Sequence, residues 1–162
     1  MITNYLSPVS FLITVERLPN VEFFTQKATI PSLSMAVVPQ PNPLANIYST
    51  PDRIEYGDLD LSFIVDEGMK NYREILAWME GMGTPQTSDQ YRSLKASRSG
   101  VTSDITMIIQ NSSRNPSIKI TYTNCFPTSL GAVALSVTES DVFYPECTAT
   151  FRYDSMIVED YS

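Results

Sequence analysis

The sequence predicts a mainly β fold: two packed antiparallel sheets forming a barrel or sandwich, with one flanking helix. Three observations carry this reading. Most apolar runs alternate with polar residues at period two, Pro, Gly, Asn and Ser cluster between them as turns, and only one segment repeats its apolar residues at helical spacing. At 162 residues with 43% hydrophobic content, the chain is expected to form a single domain with a full core and no need of disulfides.

Phe11-Leu12-Ile13-Thr14-Val15-Glu16 reads as a strand, Pro19-Asn20 as a turn, and Val21 to Thr29 as a second strand, together an opening hairpin. Pro31, Pro39, Pro41, Pro43 and Pro51 punctuate the next segment. Proline has no amide donor and fixes its φ, so this stretch reads as an edge strand or extended arm. Its Met35, Val37, Val38, Leu44, Ile47 and Tyr48 still need burial, which points to contact with neighbouring subunits. Residues 54–65 form the clearest strand, with Leu59, Leu61, Phe63 and Val65 on one face and Asp58, Asp60 and Ser62 on the other. Asp66-Glu67-Gly68 ends it and supplies a cap. A helix from Met69 to Met82 follows, expected to bury Tyr72, Ile75, Leu76 and Met79 against the apolar face of that strand, and Gly81, Gly83 and Pro85 stop it. Residues 84–103, rich in Ser, Thr, Gln and Gly, read as an exposed loop. Further strands are expected at Ile105 to Gln110, Ser117 to Cys125, Ala132 to Thr138 and Glu146 to Met156. Turns fall at Asn111 to Pro116, Ser129-Leu130-Gly131 and Glu139-Ser140-Asp141.

Composition narrows the function. Eleven basic against 18 acidic residues give a net charge of −7, which disfavours nucleic-acid binding because cationic contacts supply that affinity. Only 18% of residues are charged, below the roughly 25% usual for soluble domains, so much of the surface is neutral and suited to partners. The N-terminal residues lack a cationic region followed by an apolar run, and no stretch is long enough to span a bilayer; the reading is a soluble, unsecreted protein with no membrane partner. There is no histidine, which removes Ser-His and Cys-His nucleophile pairs and the commonest metal ligand. Phosphate-cradling and dinucleotide-binding glycine motifs are absent as well. No catalytic residue, metal site or cofactor is assigned, and the chain is not read as an enzyme.

Several features carry more than one meaning. Asp58, Asp60, Asp66 and Glu67 are a solvated polar face, the wall of a channel, or a cation site or glycosidase pair. Trp78 with Met69, Tyr72, Met79 and Met82 is a core stripe or a partner groove. Arg92, Lys95 and Arg98 form a solvated loop or meet an acidic neighbour, and Asn111-Ser112-Ser113, a glycosylation pattern, reads as a turn. Cys125 and Cys147 read as small buried apolar residues rather than a disulfide or metal half-site.

Taken in order, Lys27-Ala28-Thr29-Ile30-Pro31, Asp52-Arg53 before a carboxylate-rich strand, the single helix, Phe126-Pro127-Thr128-Ser129-Leu130-Gly131 and the closing Ala149-Thr150-Phe151-Arg152-Tyr153-Asp154 resemble the tail tube proteins of contractile-tailed bacteriophages nearly end to end. The resemblance implies a tail-tube fold whose copies assemble as hexameric rings, join into a ring-shaped multi-subunit β-barrel and stack as a tube in the virion. It also implies sheath, baseplate and tape-measure proteins as partners, assembly in the host cytoplasm, and transient passage of double-stranded DNA through an anionic lumen lined by Asp58, Asp60 and Ser62. A baseplate tube initiator and a contractile secretion-system tube share that architecture. From other classes, a carbohydrate-binding or capsid-decorating β-sandwich and a histidine-free glycosidase stay open at this point.

Overall fold

The computed structural model describes residues 5–6, 8–51, 53–96, 100–137 and 144–161. Asp52, Arg98, Thr138 and the Glu139-Ser140-Asp141 turn lie outside them. β1 (Phe11–Val15) turns Ile13 and Val15 inward and pairs antiparallel with β8 (Ser103–Gln110). β8 continues into β9 (Pro116–Leu130) through a turn that Asn111 organises, its side-chain carbonyl accepting from the N–H groups of Ser113 and Asn115 at 2.9 and 3.0 Å. Such Asx bonding is why asparagine starts turns. β11 (Ser155–Asp160) pairs with the first part of β9, completing a sheet of order β1-β8-β9-β11. The last residues of β9 instead pair with β10 (Glu146–Arg152), and β7 (Leu59–Ile64) and β2 (Thr25–Thr29) follow, a second sheet of order β9-β10-β7-β2.

One strand thus serves both sheets, and Asn124 is where it turns. Its φ is 55°, a left-handed conformation that asparagine tolerates better than most residues. Its N–H donates to Asp104 Oδ1 at 3.0 Å and its Nδ2 to Asp154 Oδ2 at 2.8 Å, which pins the bend from β8 and from the break between β10 and β11. The inward faces then meet in one core: Ile105, Met107, Ile120 and Tyr122 from the first sheet against Leu59, Leu61, Phe63, Ala149 and Phe151 from the second. Cys125 and Cys147 are buried and unbridged, as small apolar residues would be, and burial pushes the Cys125 thiol up to about 12. Among the described residues the strand path ends at β1 and β2 without closing, so the subunit is a sandwich with open edges.

Several local expectations are corrected. Val21 does not begin a strand: α1 (Pro19–Phe24) occupies the start, with Pro19 at a position that needs no donor, Leu18 and Val21 buried, and Thr25 Oγ1 donating to the Val21 carbonyl at 2.7 Å. β1 and β2 therefore do not form a hairpin; they sit in different sheets. The strand over 54–65 is two strands, β6 (Ile54–Tyr56) and β7, split at Gly57, whose N–H donates to the Ser32 carbonyl at 2.8 Å. A Cβ there would fall 2.9 Å from Ser32 Oγ, so only glycine permits the approach. The strand expected to end at Cys125 runs on through Phe126 to Leu130, so Ser129 and Leu130 are strand rather than turn. Pro127 is accommodated because it pairs with β10 beside a bulge at Thr150/Phe151, and no described strand needs a hydrogen bond from its other side. Residues 131–137 carry no strand, and the strand expected over 146–156 breaks at Tyr153-Asp154 between β10 and β11.

A further correction concerns the helices. α2 (Lys70–Gly83) forms where the spacing placed it, but α3 (Ser88–Ala96) replaces the expected loop. Gly81 lies inside α2 rather than stopping it. Leu94 of α3 packs over it, so that a Cβ at Gly81 would already stand 3.4 Å from a Leu94 methyl and any longer side chain would displace the leucine.

Candidate assembly surfaces

β7 and β10 place a row of cross-strand polar pairs on the face turned away from the core. Ser62 Oγ lies 3.1 Å from Thr148 Oγ1, Thr150 Oγ1 donates to Asp60 Oδ1 at 2.8 Å, and Arg152 Nη1 donates to Asp58 Oδ1 at 2.5 Å. Asp58, Asp60 and Ser62 thus share one face, while Leu59, Leu61 and Phe63 between them are fully buried. Register adds Lys27 and Thr29 of β2 beside Ser62 and Asp60, and Glu146 beside Ile64. Three carboxylates against two cations leave the face with only a slight negative excess. Asp58 and Arg152 form the one ion pair among the described residues, and Asp58 holds the Arg152 guanidinium above its ordinary pKa.

Opposite in character is the segment from Leu33 to Tyr56. β3 (Leu33–Met35) pairs with β6, and β4 (Val38–Gln40) with β5 (Ile47–Ser49), forming a two-part ladder with almost no burial. Met35, Val37, Val38, Ile47 and Tyr48 are all about half exposed or more, and Leu44 is 96% exposed. From Ala28 to Pro51 there is no charged residue. The arm's apolar side chains stay exposed on the subunit, and its charges fall only at its end, on Asp52, Arg53 and Glu55.

The helices close one end of the sandwich. α2 buries Asn71, Ile75, Trp78 and Gly81, while Tyr72 and Met79 are half-buried and Leu76 is 38% exposed. Leu76 therefore departs from the expected packing face: the buried stripe runs one residue to its side, where Trp78 donates its Nε1–H to the Val101 carbonyl at 2.8 Å and lies tilted against Phe151, ring centres 6.2 Å apart. Arg17 lies 5.1 Å from the Trp78 ring centre and donates to the carbonyls of Gly100 and Leu94, tying β1 to α3. No side chain of Asp66, Glu67 or Met69 caps α2. Buried Asn71 ties down this end instead, donating to the Ile64 carbonyl at 2.7 Å and accepting from the Asp66 N–H at 3.3 Å. Beside it lies an open, largely apolar recess of about 840 Å³, lined by Phe24, Val65, Tyr72 and Leu135 among others, with Asp66 and Glu67 also in its lining. Among the described residues no group of three or more His, Cys, Asp or Glu is placed to hold a metal.

A polar sheet face, an uncovered arm and open edges describe a subunit built for polymerisation, and the family comparison decides which kind. The family model of phage tail tube protein matches residues 6–159. The chain belongs to the phage tail tube protein family. It is a structural tube subunit. Its fold is similar to chains in three cryo-EM structures. In the tube-terminating cap of the anti-feeding prophage the identity is 15%, covering 99% of this chain and 95% of that one, with a TM-score of 0.70. In the extended sheath–tube complex of the PVC extracellular contractile injection system it is 17%, covering 97% and 93%, with a TM-score of 0.68. In the anti-feeding prophage baseplate it is 15%, covering 98% and 97%, with a TM-score of 0.67. Among curated proteins no sequence matches the chain.

Two residues of this tube protein's surfaces escaped the sequence reading. Arg152 pairs with Asp58 across 94 positions, a pairing no spacing rule announces. Gln90 had a signal: Thr87-Ser88-Asp89-Gln90 is a Thr-x-x-Gln capping box, and the Gln90 side chain accepts from the N–H groups of Gln86 and Thr87 at 2.8 and 3.3 Å.

Proposed function

We propose that this chain is the main tube subunit of a contractile tail, that its copies close into six-membered stacked rings, and that the polar face of β7 and β10 lines the bore through which double-stranded DNA passes. The observation that carries the reading is the polar ladder Asp58–Arg152, Asp60–Thr150, Ser62–Thr148 on a sheet whose outer strand β2 is open. Unpaired strand edges are a template for other chains, and ring closure satisfies all of them at once. A bore of hydroxyls and compensated charges has few free cations to hold phosphates, so a duplex slides. The role is structural rather than catalytic. Sheath, baseplate and tape-measure proteins are the partners of such a tube, in a virion tail assembled in the host cytoplasm.

The arm completes the assembly in this reading. With no charge from Ala28 to Pro51, most of the arm approaches copies that each carry −7 without adding repulsion, and its apolar side chains are covered there. A second reading, a baseplate initiator or tube terminator, draws on the similar chains found in baseplate and cap structures. Cryo-electron microscopy of the purified protein separates these: long six-fold tubes with Asp58 and Asp60 on the inner wall are expected. Single rings that never stack favour the initiator, and monomers alone at high concentration, or both carboxylates on the outer wall, overturn the proposal.

A further inference from the structure

Resting on the bore reading above, we infer that Asp58 is a guard for Arg152, occupying the guanidinium so that it does not bind the phosphates of DNA moving past. Arginine is the side chain best matched to a phosphate, because its planar fork donates two parallel hydrogen bonds. An exposed arginine on a DNA-facing wall, repeated in every subunit and every ring, would act as a brake. Here the Arg152 side chain is 52% exposed, yet Nη1 donates to Asp58 Oδ1 at 2.5 Å. Burial does not explain the pairing, since both partners are open to solvent and exposed pairs contribute little stability. Glu55 of β6 also acts on the guanidinium, but more weakly than Asp58. Asp58 sits where the chain leaves the arm for β7, held by the close approach of Gly57 to Ser32, so its position is set by backbone and not by a flexible loop.

The test compares assembled tubes of wild type, Asp58→Asn and the double variant Asp58→Asn/Arg152→Gln, offered either a short linear duplex or a closed circular plasmid that cannot thread a bore. Asp58→Asn tubes are expected to retain linear duplex at low salt, with a salt dependence steeper by about one unit of slope for each phosphate that a freed guanidinium neutralises. The double variant returns to wild-type behaviour. Capture of linear duplex but not of circle supports the guard within a bore. Capture of both supports the guard and places the pair on an outer surface, which overturns the bore reading alone. Asp58→Asn tubes that hold no more duplex than wild type overturn the guard. If that variant fails to assemble, heparin retention of the unassembled chain makes the same comparison: earlier or equal elution relative to wild type overturns it, and later elution that Arg152→Gln abolishes supports it.

Discussion

The β7/β10 pair and the β3–β6 arm use the same antiparallel backbone bonding, but they bury very different amounts of side chain. In β7 every second residue is buried, and Leu59, Leu61 and Phe63 pack against Ala149 and Phe151 within a core closed by the first sheet. In the arm no strand has a buried residue. Backbone hydrogen bonds exchange water for peptide partners and return only about 0.5–1.5 kcal/mol each, whereas full burial of a large apolar side chain is worth roughly 1.5–3 kcal/mol. The first pair therefore holds the subunit together. The arm adds little to that core, since its apolar side chains stay exposed on the subunit.

The strongest way to break this contrast is to remove one large side chain from each region. Phe151→Ala opens a cavity in the core beside Trp78 and is expected to cost about 3–5 kcal/mol in denaturant unfolding of the unassembled chain. Tyr48→Ala, on the arm, is expected to stay within about 0.5 kcal/mol. Equal destabilisation by the two would mean that the arm packs within its own subunit.

The helix sharpens the contrast on a finer scale, between adjacent residues. Ile75 is fully buried and Leu76 is 38% exposed, so Ile75→Ala is expected to cost about 2–5 kcal/mol and Leu76→Ala less than about 0.5 kcal/mol. A large loss at Leu76 in the unassembled chain would rotate the packing face back to the one its apolar spacing suggests.

That face shows how far the sequence could be read. Period-two alternation placed Leu59, Leu61 and Phe63 inward and Asp58, Asp60 and Ser62 outward, because a half-buried strand leaves a strong binary signal. The prolines marked the arm for a similar reason: a missing donor is a local property. Helix α2 was legible as a helix, with Tyr72, Ile75, Trp78 and Met79 toward the core, but the exact centre of its buried face, which leaves Leu76 exposed, was not. Asn71 is buried for its hydrogen bonds and Gly81 for its smallness, and a hydrophobicity pattern credits neither. α1 spans six residues rich in strand-formers, too short to show a helical period, and α3 buries Leu94 as its only core residue, so its polarity reads as loop. The sequence reading ended β9 at Cys125, before Pro127, because the strand's open side there depends on which strands neighbour it, and that is a tertiary fact.

The smallest expected effect on the subunit belongs to a thiol probe on the arm, and it reports most directly on where the arm goes. The native thiols are poor nucleophiles: Cys125 and Cys147 are buried, and burial pushes both pKa values up, that of Cys125 to about 12. Near pH 8 both are protonated and inaccessible, so labelling is negligible while the fold holds. Tyr48 is 67% exposed on a strand with no core contacts, and Tyr48→Cys is expected to leave the unfolding midpoint unchanged while supplying one fast-reacting thiol. If neighbours cover the arm on assembly, the rate of modification by a water-soluble maleimide falls by an order of magnitude or more between unassembled chain and tube, and modification before assembly blocks tube formation. An equal rate in both states would leave the arm in solvent and remove it from the subunit contacts, while core alternation and the polar ladder stand unaffected.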